Sequence, residues 1–424
     1  HEMPAVRPSA RTRVAAALGR STARLARVVR PGGGSVIGAW VTLALAPNAL
    51  AELAAGRRIA VVSGTNGKST TTAFLAAAGT AAGHEVASNI EGANLRTGIV
   101  ATLSQKRAAD LTVLEIDELA LPLLLPALPS PVITLLNLSR DQLDRFGEVR
   151  TIAASWRAAL EARDDATVVA NADDPLVVWG ASGAADVTFV GVGLGWRLDA
   201  ASCPNCGGRI VVADRQAVNA DWWCDTCDLR RPPCLELDGA ELRDQAGVVV
   251  ATIAPGVPGR HNVGNAALAV VAAMKLGIDV NVAAAAMADV SSVAGRYQRV
   301  RVGDTEVRLL LAKNPAGWAE MLTLTSGADV PLVLGINARI ADGKDPSWLW
   351  DVEYERCRGR RVVAAGERAS DLAVRLHYAE VPCDVWGGDV DALLRGLGTL
   401  DAPEVDLIAN YTVFADLVRE LRAR

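Results

Sequence analysis

Residues 58–83 read RIAVVSGTNGKSTTTAFLAAAGTAAG, and this stretch decides the fold. Residues 59–62 are an apolar, β-branched run that predicts a buried strand, and the Ala-rich segment that follows predicts a helix. The glycine turn between them is typical of a phosphate-binding loop, because glycines let backbone N–H groups close around phosphate oxygens at a helix N-terminus. In such a loop Lys68 supplies a positive charge and Ser69 a hydroxyl for Mg²⁺. The predicted nucleotide-binding residues are Gly64, Thr65, Asn66, Gly67, Lys68, Ser69 and Thr70.

Two further features place polar groups beside this loop. A predicted apolar strand ends in EIDE at residues 115–118, and acidic residues at the carboxyl end of a parallel strand can hold Mg²⁺ near a phosphate loop. We predict Glu115 or Asp117 as that ligand, with solvated acidic side chains as the alternative. Asn265 lies at the start of an Ala/Val-rich helix, and we predict that it approaches the nucleotide.

Strand patterns that end in polar loops alternate with helical patterns along most of the chain. This alternation predicts an α/β fold with a parallel sheet and a site along one rim. A second, smaller α/β domain is predicted to follow. The expected segments are a basic and apolar helical segment at 1–55, an ATP-binding central domain at 56–300, a metal-binding ribbon inserted at 198–235, and a C-terminal domain at 303–424.

Four cysteines form two C-x-x-C pairs separated by 17 residues. This spacing predicts a structural zinc site in which four thiolates bind the ion and the intervening segment forms a short hairpin. Disulfide bonds are the alternative, but they are rare in proteins of the reducing cytoplasm. The predicted ligands are Cys203, Cys206, Cys224 and Cys227.

Composition narrows the class of protein. Half of the 424 residues are hydrophobic and 21% are charged, as in a globular chain, and the net charge of −5 gives no reason to expect a nucleic-acid partner. The N-terminal region is rich in arginine, and we interpret it as a basic surface helix, with a transit peptide as the alternative. The apolar stretch at 35–53 is interrupted by Pro47 and is too short to span a bilayer. We therefore expect a cytoplasmic protein that contacts the inner membrane surface peripherally.

Two loops stand out in the C-terminal region. KNPAG at 313–317 follows one predicted strand, and DGKDPSWLWD at 342–351 follows the next. The second loop combines three aspartates with two tryptophans, which folding alone rarely requires. From the residues alone, Asp342, Asp345 and Asp351 remain equal candidates for a functional carboxylate.

Taken together, these motifs resemble the MurT family, the Mur-ligase-like subunits of lipid II isoglutaminyl synthase. The loop is the short G-T-N-G-K-S form shared with Mur ligases and folylpolyglutamate synthases, and the inserted cysteine ribbon separates this family from both. The resemblance covers nearly the whole chain. It rests on GTNGKST, NIEGAN, EIDE, RDQLDRFGE, NADDP, CPNC with CDTC, GRHNVGNAALA, KNPAG, DGKDPSWLWD and NYT at 410–412.

The resemblance implies a Mur-ligase-like fold and an ATP-dependent, glutamine-dependent carbon–nitrogen ligase of peptidoglycan synthesis. Its substrate would be the α-carboxylate of D-glutamate in lipid II, which becomes D-isoglutamine through an acyl phosphate. The implied cofactors are ATP, Mg²⁺ and structural Zn²⁺. The implied partner is a GatD-type glutaminase in a heterodimer, whose cysteine and histidine are completed by an aspartate that the motif DG(R/K)D places at Asp345 as a catalytic residue.

One departure from the wider superfamily affects the metal arrangement. Many Mur ligases carry a carbamylated lysine after their equivalent of DRFGE, but this chain has no lysine between Lys106 and Lys275, and the position falls near Trp156. The usual second magnesium is therefore in doubt. Two other functions remain open: a Mur- or folylpolyglutamate-type ligase that adds an amino acid, and a non-catalytic Mur-like nucleotide-binding scaffold.

Overall fold

The computed structural model describes residues 8–29, 34–89, 93–140, 149–195, 198–214, 217, 219–291, 297–326 and 329–423. Positions 90–92 of NIEGAN and 141–148 of RDQLDRFGE lie outside these ranges. Backbone contacts divide the chain into two compact units. The first comprises 1–138, 149–257 and 261–291, and the second comprises 139–148, 258–260 and 292–424.

A nine-stranded sheet forms the centre of the first unit, in the order β11-β10-β9-β6-β5-β4-β1-β3-β2. Strands β2 to β6 and β9 run parallel with β1, and β9, β10 and β11 pair antiparallel at one end. The strands are β1 (Arg58–Ser63), β2 (Val86–Ser88), β3 (Leu111–Glu115), β4 (Val132–Leu135), β5 (Thr167–Asn171), β6 (Asp186–Gly191), β9 (Leu235–Asp238), β10 (Glu241–Arg243) and β11 (Val249–Thr252). The predicted parallel α/β sheet is confirmed.

Helices surround this sheet. Every residue of β3, and of β1 after Arg58, is buried, which explains why these strands read as continuous apolar runs. The helices are α1 (Ala10–Val29), α2 (Gly34–Leu45), α3 (Ala49–Ala54), α4 (Lys68–Ala81), α5 (Arg96–Gln105), α6 (Leu121–Leu124), α7 (Val149–Glu161), α8 (Pro175–Ala181), α9 (Arg260–Lys275) and α10 (Val280–Ala286).

Helices α1 and α2 cross at two glycines. A Cβ atom on Gly19 would lie 2.4 Å from the carbonyl oxygen of Gly38, and a Cβ on Gly38 would lie 2.3 Å from that of Gly19. Thr42 donates a hydrogen bond to the carbonyl of Gly38 within this contact. The two backbones therefore approach as closely as only glycine permits. Among the described residues, no helix has the length and hydropathy needed to cross a membrane.

The cysteine pairs lie in a small ribbon between β6 and β9. Its two strands, β7 (Ile210–Val212) and β8 (Trp222–Cys224), pair antiparallel, so the predicted hairpin is confirmed. Trp222 is buried, and its indole N–H donates to the carbonyl of Ala172 at the end of β5. The ribbon is thereby attached to the central sheet.

The second unit contains a six-stranded sheet in the order β12-β13-β17-β14-β15-β16, parallel except for β12. At the start of this unit a turn at Gly303 joins β12 and β13 into an antiparallel hairpin. The elements are β12 (Tyr297–Val302), β13 (Thr305–Leu311), α11 (Pro315–Thr325), β14 (Leu332–Gly335), β15 (Val362–Gly366), α12 (Ala369–Tyr378), β16 (Cys383–Gly387), α13 (Val390–Leu397), β17 (Glu404–Ala409) and α14 (Tyr411–Ala423).

Candidate active site

The phosphate loop lies at the carboxyl end of β1, between the ends of β3 and β4. Asn137, just after β4, fixes the loop: its side chain accepts from the N–H of Asn66 at 2.9 Å and donates to the carbonyl of Asn66 at 3.0 Å. Its own carbonyl accepts from the N–H of Thr65 at 2.8 Å. Gly64 and Gly67 both have positive φ, 142° and 88°, which the loop requires of glycine. The loop conformation therefore depends on a neighbouring strand end.

Lys68 and Glu118 form a buried ion pair beside the loop. The Lys68 ammonium lies 2.8 Å from Oε2 of Glu118, and it also donates to the carbonyls of Gly64 and Thr65. Both side chains are at most a tenth exposed. Burial raises the pKa of Glu118, while Lys68 opposes that shift. Glu118 therefore fixes the position of the lysine side chain, a role that the sequence analysis missed.

Ser69 and Glu115 lie together at the start of α4. The Ser69 hydroxyl donates to Oε2 of Glu115 at 2.7 Å, and both residues are buried. Neighbouring ligands of a magnesium ion with bonds of about 2.1 Å lie about 3 Å apart, so these two oxygens fit one Mg²⁺. The side chain of Asn89 donates to the carbonyl of Glu115 and accepts from its N–H, both at 2.8 Å, and so holds Glu115 in place. Asp117 instead accepts from the N–H of Leu119.

The remaining predicted nucleotide-binding residues are close to the loop. Thr70 is buried in the first turn of α4. Asn265, on α9, packs directly against Gly67, where a Cβ atom would lie 2.7 Å from Oδ1 of Asn265. The structure therefore brings Asn265 to the loop, and its contact with a nucleotide remains a prediction.

The motif NADDP follows β5 and has a structural role in the described chain. Asp174 begins α8 by accepting from the N–H groups of Leu176 and Val177, and it also accepts from Leu138. Its side chain is completely buried, and this burial raises its pKa to about 6. Asp173 pairs with Arg231 at 2.7 Å and so joins the base of the ribbon to the sheet.

The four predicted metal ligands come together in the ribbon, with their sulfur atoms within 4.8 Å of one another. The Cys203–Cys227 and Cys206–Cys224 sulfur distances are 3.7 and 3.5 Å. Zn–S bonds of about 2.3 Å in a tetrahedron separate sulfurs by about 3.8 Å, so the cluster has the size of a zinc site. All four cysteines are free of disulfides. Burial raises the pKa of Cys203 to about 12, whereas the N–H of Leu229 lowers that of Cys227 to about 6.

A pocket in the second unit brings the two C-terminal loops together. The short 3₁₀ turn Ser347–Asp351 anchors the second loop, because Trp348 packs 6.0 Å from Trp318 in the core. Asp351 pairs with Arg140 at 3.4 Å. The lining residues are Arg140, Lys313, Asn314, Pro315, Asp342, Gly343, Asp345, Trp348 and Asp351.

The three candidate aspartates of this loop have different environments. Asp342 is buried and accepts hydrogen bonds from both the N–H and the hydroxyl of Thr412, which explains the NYT motif near the end of the chain. Asp345 is exposed, and its Oδ1 accepts from the N–H of Ser347 at 2.9 Å. Asp342 is therefore part of the folded loop, while Asp345 presents its carboxylate at the surface.

Comparison with known proteins identifies two domains in the chain and several similar proteins. Residues 62–196 match the Mur ligase middle domain and residues 311–414 match the MurT ligase C-terminal domain. The chain is 29% identical to the lipid II isoglutaminyl synthase (glutamine-hydrolyzing) subunit MurT of Streptococcus pneumoniae, over 93% of both chains. It is 27% identical to the Staphylococcus aureus (strain COL) subunit of the same name, over 86% of this chain and 87% of that one.

A solved structure agrees on the fold. The pseudomurein peptide ligase type C from Methanothermus fervidus superimposes with a TM-score of 0.64 at 19% identity, covering 87% of this chain and 78% of that one. The Mur-ligase-like fold and the MurT-type C-terminal domain occur here in one chain. The chain therefore combines a Mur ligase middle domain with a MurT ligase C-terminal domain, and it is similar to MurT subunits over nearly its whole length.

Proposed function

We propose that this chain is the synthetase subunit of a lipid II isoglutaminyl synthase. It uses ATP to amidate the α-carboxylate of D-glutamate in the lipid II stem peptide, giving D-isoglutamine for peptidoglycan synthesis. The observation that carries the proposal is the presence of complete phosphate-loop machinery in a chain that resembles MurT subunits over 93% of its length. A scaffold without catalysis would have no need for the buried Lys68–Glu118 and Ser69–Glu115 pairs.

The residues around the phosphate loop account for the first half-reaction. A carboxylate is a poor electrophile, and transfer of the γ-phosphoryl group converts it to an acyl phosphate with a good leaving group. Lys68 and the N-terminal N–H groups of α4 stabilise negative charge on the phosphates. Ser69 and Glu115 would hold Mg²⁺, which supplies further charge neutralisation when bound.

Ammonia for the second half-reaction comes from a GatD-type glutaminase in a heterodimer with this chain. We propose that Asp345 completes the triad of that partner by orienting its histidine and stabilising the charged imidazolium. The environments of the three aspartates support Asp345: its carboxylate is exposed, Asp342 is buried in hydrogen bonds with Thr412, and Asp351 pairs with Arg140. The ammonia then attacks the acyl phosphate and releases phosphate.

The ribbon is proposed to bind one structural Zn²⁺ through its four cysteines. The sulfur distances fit a tetrahedral site. We further propose that the protein is cytoplasmic and meets its lipid-linked substrate through a peripheral contact with the inner membrane surface.

The test combines the chain with a co-expressed glutaminase, ATP, Mg²⁺, lipid II and either glutamine or ammonium chloride, with amidation followed by mass spectrometry. Asp345→Asn should reduce glutamine-dependent amidation at least about 100-fold, because the partner histidine loses its orienting carboxylate. The same variant should keep ammonium-dependent amidation, whereas Lys68→Ala should lose both activities.

The control is Asp384→Asn, which removes an exposed carboxylate from the same unit and should behave like the wild type. Addition of an amino acid to the substrate without any glutaminase would favour the alternative ligase. Full glutamine-dependent activity in Asp345→Asn would exclude the proposed triad.

A further inference from the structure

The N-terminal helices expose apolar side chains that the phosphate loop and the ribbon do not use. On α1, Val14, Leu18 and Leu25 are 60, 49 and 70% exposed. Their spacing of four and seven residues places them on one stripe of the helix. The opposite side of α1, which includes Ala15, Gly19 and Ala23, is buried. The stripe therefore faces away from the packed interior of the unit.

Helix α2 also exposes apolar side chains. Trp40 is 64% exposed, and Val36 and Ile37 are 41 and 47% exposed. No residue of α2 is charged. The Gly19–Gly38 crossing holds α2 against α1, so the two helices present these side chains from one rigid hairpin. A cluster of exposed apolar residues of this kind marks an interaction surface.

The charge of the hairpin segment itself is positive, although Glu52 accepts a hydrogen bond from the N–H of Ser9 beside the start of α1. Residues 3–51 contain seven arginines and no Asp, Glu or Lys. Burial lowers the pKa of Arg20, and repulsion from Arg107 and Arg24 lowers it further. Within the described chain, no acidic side chain forms an ion pair with Arg13, Arg24 or Arg107. Cations held together in this way favour an anionic partner.

We infer that the α1–α2 hairpin is a docking surface for an anionic lipid bilayer. Exposed tryptophan and aliphatic side chains insert at the level of the headgroups, where tryptophan is enriched, and the flanking arginines contact anionic lipids. Since no described helix can span a bilayer, the contact is peripheral. The inference locates the membrane contact of the proposed function, but vesicle binding itself does not depend on amidation.

Binding is measured by co-sedimentation of the full chain with vesicles, without nucleotide or partner. The chain should bind vesicles of phosphatidylglycerol and phosphatidylcholine at low salt, and bind pure phosphatidylcholine weakly. The double variant Arg13→Gln with Arg24→Gln should reduce the partition coefficient between vesicles and water about 10- to 30-fold. Each arginine near an anionic surface is expected to contribute a factor of roughly five. Ile37→Ser with Trp40→Ser should reduce it at least about tenfold through the lost apolar contact.

Matched controls separate this surface from general effects. Arg419→Gln with Arg422→Gln removes the same charge from α14, and Leu123→Ser removes an even more exposed apolar side chain elsewhere in the first unit. Both controls should bind like the wild type, and all variants should share its thermal unfolding midpoint. Equal binding by wild type and hairpin variants would overturn the inference, as would a concentration-dependent dimer that the hairpin variants abolish without any vesicle binding.

Amidation provides the readout that depends on the proposed function. The hairpin variants should amidate a short-chain, water-soluble lipid II analogue normally, and should amidate lipid II embedded in anionic vesicles more slowly. Vesicle binding without any amidation would refute the proposed function and leave the docking surface standing. Amidation without vesicle binding would support the proposed function and refute the docking surface.

Discussion

At the scale of single residues, the phosphate loop is surrounded by side chains that hold one another in place. Glu118 fixes Lys68, Asn137 fixes the loop backbone, and Asn89 fixes Glu115. Each of these supporting residues follows a strand of the same sheet, because parallel strands bring their carboxyl ends to one edge. The geometry of the site is therefore a property of the sheet order.

The choice between Glu115 and Asp117 as a magnesium ligand is testable. Glu115→Gln should raise the Mg²⁺ concentration needed for half-maximal ATP turnover at least about tenfold, since an amide is a weaker ligand than a carboxylate for this hard cation. Asp117→Asn is the control and should leave the requirement unchanged, because that side chain bonds to the N–H of Leu119. A larger effect from Asp117→Asn would reverse the assignment.

Asp174 gives a pH-dependent prediction. Burial raises the pKa of Asp174 from 3.8 to about 6, so the folded protein is more stable when this carboxyl group is protonated. The stabilisation from this group is complete below about pH 4 and is lost as the pH rises through 6. Two pKa units correspond to about 3 kcal/mol, at about 1.4 kcal/mol per unit.

The comparison variant is Asp174→Asn, which does not titrate. The free energy of unfolding of the wild type minus that of the variant should fall by up to about this amount between pH 4 and 7, measured by urea denaturation. The offset between the two proteins includes the hydrogen bond from the N–H of Leu138, which an amide nitrogen does not accept. A difference that stays flat with pH would show that Asp174 is not responsible.

Sequence reasoning identified the residues of the site better than their contacts. The glycine turn predicted the loop, and both Glu115 and Asn265 lie beside it as expected. Glu118 was counted among acidic residues that could be solvated, since no local pattern shows that its carboxylate is buried against Lys68. Likewise, the burial of Asp342 depends on Thr412, 70 residues away, so sequence alone left three aspartates equivalent.

At the scale of elements, the ribbon yields a prediction about metal content. The purified chain should contain about one zinc per molecule by inductively coupled plasma mass spectrometry. Cys206→Ser should lose most of it, because three thiolates hold a structural zinc poorly. Cys383→Ser is the matched control, as this half-buried cysteine lies outside the cluster and should leave the zinc content unchanged. A metal-free wild type prepared without chelators would contradict the zinc assignment.

Strand prediction succeeded where both faces of the sheet are covered. Continuous apolar runs identified β1 and β3, whose burial removes any alternation. Edge strands were harder to predict: β16 is short and largely exposed, and β12 carries charged residues and is only partly buried. Their pairing depends on neighbours distant in sequence, which local periodicity does not record.

At the scale of the whole molecule, the overall charge conceals a strong asymmetry. The net charge is −5, and since residues 3–51 carry +7, the rest of the chain carries −12. An acidic protein with one basic end is repelled from an anionic surface except at that end. The average composition therefore gave no indication of a membrane partner, whereas the distribution of charge along the chain does.

The contact between Gly19 and Gly38 sets different evolutionary limits on the two sides of the hairpin. Any side chain at either position would collide with the opposing backbone, so the crossing point admits a single amino acid. The exposed stripe of α1 needs only apolar side chains. Val14 or Leu18 can therefore be replaced by other aliphatic residues without loss of packing. Substitutions on the exposed stripe can thus change lipid preference, while the way in which the two helices cross is preserved.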